Sequence, residues 1–252
     1  MHWWVTQIKN DSNRANCLEL ATPTSISAFI EAFTALLRSD QTPCIGIALD
    51  YYQSYDAMWR HGIENPFEQF DAEVLTSARQ LLRQPPVVAA RQREAKEDGA
   101  NHASALAAMM NLAEPGDADL IAESLNSATT SEVRIGAALA AASALVDADV
   151  PPLRLLESLE SLIFNTMSTY HEFSAAISAL LESQSEEADE ILFRAIDVPS
   201  IGVQAQAAIA LAERDFPAYR GDVTRVARSW PQNAEFPATK LLSLLREEEG
   251  TA

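Results

Sequence analysis

Apolar positions in the C-terminal three-fifths of the chain repeat on two scales. The short scale is helical: apolar residues recur three and four apart, as on one face of an α-helix. The long scale is a period near 33 residues. Leu106, Leu139, Ile177, Ile209 and Leu242 fall in register at steps of 33, 38, 32 and 33. Ala105, Ala138, Ala176, Ala208 and Leu241 precede them, and Met109, Ala142, Leu180, Ala212 and Leu245 lie three places after them. A period of this length signals a repeated supersecondary unit.

The alanine-rich helices alternate with amphipathic ones: DADLIAESL (117–125), PLRLLESLESLIF (152–164), ADEILFRAI (188–196) and YRGDVTRVARSW (219–230). Each sets Leu, Ile or Val against Glu, Arg or Ser. The breaks carry stop and start signals. Asp117, Ser200 and Asn233 are expected caps, and the prolines of DADVPP sit at a helix start. The unit is therefore a helical hairpin, used about five times from residue 101 onward. A single hairpin cannot cover its own apolar faces, and stacking covers them. RIGAALAAASAL (134–145) is oily nearly all round, as expected of a helix enclosed on several sides. The expected fold is all-α, an α-solenoid of stacked antiparallel helix pairs.

SEVRIGAALAAASAL (131–145) resembles the second helix of a HEAT-type repeat, through Glu132, Val133, Arg134, Ala137, Ala138, Ala144 and Leu145. As architecture, the resemblance extends over residues 101–247. It implies a HEAT/armadillo-like α-solenoid with an extended binding surface. The place of Arg134 is taken elsewhere by Asn101, Glu172, Gln204 and Pro237, a departure from the Asp–Arg ladder of such repeats.

Residues 1–100 fit the period poorly and are expected to form a divergent helical region. Two amphipathic helices are predicted, at 25–39 (stripe Ile26, Phe29, Ile30, Phe33, Leu36, Leu37) and 66–82 (stripe Phe67, Phe70, Val74, Ala78, Leu81). QPPVVAARQREAKEDG (84–99) has two prolines and then an aperiodic charged run, and reads as a mobile linker or loop. Between the helices, CIGIALDYYQSYDAMWRHGIENPFE (44–68) holds three of the five tyrosines. A helix would align Tyr51, Tyr55 and Trp59 on one face, with Tyr52 beside them.

That cluster has three readings. It caps the end of the helical stack. Alternatively, Tyr51, Tyr52, Tyr55, Trp59, Arg60 and His61 form a protein-binding hot spot. Or Asp50, Asp56, His61 and Glu64 make a catalytic or metal site, although their spacing matches no metal motif. Asn101 and His102, beside the expected linker, join the candidate partner-binding residues. No phosphate-binding glycine loop, nucleophile elbow or zinc motif occurs. No catalytic residue, metal or cofactor is assigned.

Charge narrows the partner class. The chain carries 18 basic and 36 acidic residues, a net −18. Residues 101–200 hold three basic against sixteen acidic groups, and residues 1–100 hold nine against thirteen. Such acidity repels phosphate backbones and attracts basic proteins. With two cysteines, no spaced ligand set and no long apolar run, the expected setting is cytoplasmic and non-membrane. The leading expectation is a non-enzymatic protein-binding scaffold. Its specific form is an immunity-type inhibitor of a basic toxin, since acidic proteins of degenerate HEAT-like repeats resemble some bacterial immunity proteins. The alternatives are an enzyme on a HEAT-like scaffold, such as a DNA glycosylase, which the charge disfavours, and an assembly protein that self-associates through the aromatics.

Overall fold

The computed structural model describes residues 23–59, 66–88, 98–146, 148–231 and 233–250. All regular structure among them is helical. No helix among them is long and apolar enough to cross a membrane. The chain divides into two compact units, Met1–Leu112 and Ala113–Ala252.

The first unit contains α1 (Pro23–Leu37), α2 (Thr42–Trp59), α3 (Asp71–Leu82) and α4 (Ala100–Met109). A single 3-10 turn, Glu68–Phe70, leads into α3. Helix α4 packs on both α2 and α3, and α1 on α2. The predicted stripes face this core: Phe33, Leu36, Leu37, Phe67, Val74, Ala78 and Leu81 are buried. Aromatic rings form its centre, with Phe33 4.5 Å and Phe29 5.6 Å from Phe67, and Phe29 5.1 Å from Tyr51. These are the edge and tilted geometries that ring quadrupoles favour.

Helix α4 buries Ala105, Leu106 and Met109 within the first unit, whose boundary falls after Leu112. The segment 84–99, read from the sequence as a mobile linker or loop, is tied together at its described ends. Gly99, in the left-handed region at φ 71°, donates its N–H to the Val87 carbonyl (2.8 Å). The two feet of the segment are thus closed on each other, and glycine permits the turn without a Cβ clash. Residues 89–97 lie outside the described residues.

The second unit contains α5 (Ala118–Ser127), α6 (Ser131–Val146), α7 (Leu153–Phe164), α8 (Tyr170–Glu182), α9 (Glu186–Ala195), α10 (Ile201–Ser229) and α11 (Ala238–Gly250). Packing follows two rules. Each of the pairs α5–α6, α7–α8 and α9–α10 lies side by side, and each helix also meets the one two places on: α5–α7–α9 and α6–α8–α10. The result is two rows of helices, one amphipathic and one rich in alanine.

Helix α10 is in effect two helices. Asp215 departs from helical geometry (φ −156°, ψ 85°), and its side chain accepts the Ala218 N–H at 3.1 Å. Asp215 therefore acts as the N-cap of a second arm, with Pro217 in that arm's first turn, where a missing N–H costs nothing. The arm corresponds to the amphipathic helix expected at 219–230.

The alanine row shows why small side chains are needed. Ala138, Ala176 and Ala208 are each 0% exposed. Helix α8 is contacted by α6, α7, α9 and α10 together, so it has little free perimeter for large side chains. The expected caps fare less well. Asp117 stands at the α5 N-cap, but its side chain accepts the Glu114 N–H at 2.9 Å, closing a capping box on the 3-10 turn before the helix. Ser200 stands at the α10 N-cap without a side-chain capping bond, and Asn233 lies upstream of the α11 start at Ala238. Thr169 and Ser185 perform that role instead, accepting the N–H groups of Glu172 and Ala188.

Ala176→Leu should cost about 1–3 kcal/mol by overpacking. Ser178→Leu, at an exposed position on the same helix, should change stability by less than about 0.5 kcal/mol. Urea denaturation of the two variants checks this, and equal midpoints would show that Ala176 has room around it.

Candidate functional site

The sequence-predicted residues separate into two groups. Tyr51 and Tyr52 are buried, at 6% and 3% exposure. Tyr51 meets Phe29, and the Tyr52 hydroxyl donates to Asp71 Oδ1 at 2.7 Å, tying α2 to the start of α3. Both belong to the core of the first unit and present no free aromatic face. The side chains of Tyr55 and Trp59, and all of Arg60 and His61, lie outside the described residues, as do the side chains of Asp56 and Glu64.

Asn101 and His102 are buried at 4% and 5% exposure and hold the chain segment before them. Asn101 accepts the Val87 N–H at 2.9 Å and donates to the Pro85 carbonyl at 3.1 Å. His102 Nε2 lies 2.8 Å from the Gln84 carbonyl, which can only accept, so this nitrogen carries the proton. Three backbone groups of 84–87 are satisfied in this way. Beside them, Gly46, Asp50, Val87, Asn101 and Ser104 line an open cavity of about 400 Å³. Among the described residues no group of His, Cys, Asp and Glu is arranged to hold a metal ion.

The register position of Arg134 turns out to be a polar seam with varied chemistry. Arg134 Nε donates to Glu172 Oε1 at 2.5 Å, joining α6 to α8, and its Nη1 donates to the Ala128 carbonyl at 3.2 Å. Gln204, two hairpins on, donates to the Val198 carbonyl at 2.7 Å and accepts the Trp230 indole N–H at 2.8 Å. Asn101, Arg134 and Gln204 thus each donate to a carbonyl of the connection that precedes their helix.

Glu172 is 1% exposed, and both of its oxygens are used: one takes Arg134, the other the Thr169 N–H at 2.5 Å. Burial alone would raise its pKa. The Thr169 N–H and the Arg134 guanidinium outweigh burial and hold it below the ordinary 4.5.

The amphipathic row carries the surface chemistry. Arginines reach back about one repeat to an acid: Arg154 to Asp119 (3.7 Å), Arg194 to Glu160 (2.6 Å) and Arg225 to Asp197 (3.0 Å). These ion pairs engage Arg154, Arg194 and Arg225, while Arg220 and Arg228 of the same arm form none among the described residues. The exposed carboxylates of Glu123, Glu157, Glu186, Glu187 and Glu190 form no ion pair among the described residues. Over residues 113–252 there are 9 basic and 23 acidic groups, so 9 − 23 gives −14.

The two arms of α10 converge on Asp189 of α9. Arg214, before the break, lies 2.6 Å from Asp189 Oδ1 and donates through Nη2 to the Leu180 and Leu181 carbonyls, capping the end of α8. The Arg214 Nη1–Asp189 Oδ1 approach lacks hydrogen-bond alignment, so that contact is Coulombic, and Arg214 Nε finds no acceptor among the described residues. Tyr219, after the break, donates its hydroxyl to Asp189 Oδ2 at 3.4 Å. Burial, and then the Asp189 charge, push the Tyr219 phenol above its ordinary 10.0. Asp189, Glu190, Phe193, Arg194 and Tyr219 line a groove of about 410 Å³.

Sequence reasoning overlooked this surface because no single helix displays it. The available signal was the recurrence of an arginine roughly one repeat after an acid. The chain matches no model of a known protein family and none of the curated proteins compared with it.

Because the folded pKa of Glu172 is depressed, its stabilisation is present above its unfolded pKa and is lost as pH falls through the folded value. Glu172→Gln should lower stability at neutral pH by about 2 kcal/mol, the range for a hydrogen bond to a charged group. The deficit should shrink as pH falls through the depressed folded value, where the native carboxyl protonates. Urea midpoints across pH for both proteins check this, and a constant deficit would contradict it.

Proposed function

We propose that the helices of residues 113–252 form a HEAT-like α-solenoid, and that the chain serves as a non-enzymatic scaffold whose acidic row engages a basic protein. The in-register alanine helices, and the packing of each helix on its next-but-one neighbour, support the architectural half of this reading. The functional half rests on one observation: cross-repeat ion pairs engage Arg154, Arg194 and Arg225, while Glu123, Glu157, Glu186, Glu187 and Glu190 stand exposed without an ion pair among the described residues.

A field of one sign over a row of helices accelerates encounter with a partner of the opposite sign. It also opposes the approach of a nucleic acid, which argues against a glycosylase on this scaffold. An immunity-type inhibitor of a basic toxin is the specific form of this reading.

The partner recovered by cross-linking in the native host should be basic. Its association rate with the purified chain should fall as salt rises. The triple variant Glu123→Lys, Glu157→Lys, Glu187→Lys should slow association about tenfold or more at low salt, with helicity by circular dichroism unchanged. A rate indifferent to both salt and charge reversal would overturn the reading.

A further inference from the structure

We infer that the groove between α9 and the second arm of α10 is the seat for a lysine or arginine side chain of the basic partner. The inference rests on the reading above and places its contact point.

The acidic row is solvated along most of its length, and solvated carboxylates hold cations weakly. At α9 it differs, because two aromatic side chains stand among the acids. Phe193, 40% exposed, lines the groove together with Tyr219 of the next helix arm. The carboxylates of Asp189 and Glu190 border the same space, and Glu186 and Glu187 stand exposed one turn earlier on α9. The volume, about 410 Å³, lies in the range of ligand pockets.

The chemistry fits a side chain with an oily stem and a charged head. Lysine and arginine bury their methylenes against apolar walls while the cation stays near carboxylates. An aromatic face adds cation–π attraction. A neutral apolar ligand would leave the acids unused, and an anion would be repelled by them. Arg194, which lines the groove, and Arg214 beside it are both already engaged. Arg194 is held 2.6 Å from Glu160 and lies 5.8 Å over the Phe164 ring, and Arg214 is committed to Asp189 and the end of α8. Arg214 and Tyr219, one on each arm of α10, both contact Asp189 at the wall of the groove. A preformed seat avoids the entropy of ordering its walls.

The test uses the full chain and an octa-arginine peptide, titrated calorimetrically at low salt, with octa-citrulline as the uncharged counterpart of equal stem length. Octa-arginine should bind and octa-citrulline should not. Phe193→Ser and Glu190→Lys should each weaken binding by about threefold to tenfold. Glu123→Lys, the same charge reversal on α5, should weaken it by less than about twofold, since the two sites belong to different helices of the row. Both groove side chains are exposed, so circular dichroism should match the parent. Should Glu123→Lys and Glu190→Lys act equally while Phe193→Ser has no effect, the groove is not the seat, although the acidic row still is. Failure of octa-arginine to bind at all would bring down both readings.

Discussion

The second unit depends on the enclosure of its alanine helices. Ala138, Ala176 and Ala208 have no exposed surface, and helix α8, which carries Ala176, is touched by four others. Close packing of this kind requires side chains that add little radius. Alanine supplies it and is also the best helix former, so local propensity and tertiary demand agree. The larger apolar groups are placed where room remains: Leu155, Leu159, Ile191 and Leu192 face inward from the amphipathic helices α7 and α9.

Enclosure imposes a polar constraint as well. A helix buried on several sides still has ends whose backbone groups need partners. Asn101, Arg134 and Gln204 meet this need at one register position, each reaching a carbonyl in the preceding connection. Glu172 stands at the same position with the opposite role, accepting from Arg134 while closing its own capping box with Thr169. Arg214 serves the other end of α8, where it bonds the last carbonyls and draws charge balance from Asp189. These side chains are structural fastenings.

The aromatic cluster of 44–68 illustrates the limits of composition as a guide. Tyrosine and tryptophan are enriched at binding hot spots, but they are equally useful in cores when their polar atom finds a mate. Tyr52 finds Asp71 and Tyr51 finds Phe29, so these two rings are spent on the first unit's interior. Conversely Phe193 looks like an ordinary core residue in ADEILFRAI, yet it is exposed, because the buried face of α9 is set by Ala188, Ile191, Leu192 and Ala195.

From its sequence alone the chain determined the helical class, the hairpin unit, the register of the buried alanines and even the separate arm hidden within α10. All of these follow from spacing along one strand of text: 3.6 residues per turn sets a helix face, and a 33-residue period sets which faces recur. Tertiary structure decided what spacing could not. It joined Arg134 to Glu172 and Arg194 to Glu160, buried Tyr51 and Tyr52, pinned 84–87 with Asn101 and His102, and left Phe193 beside a groove. The physical reason is range. A helix face is settled by neighbours a few residues away, whereas an ion pair or an open aromatic depends on which groups a separate helix brings within a few ångströms.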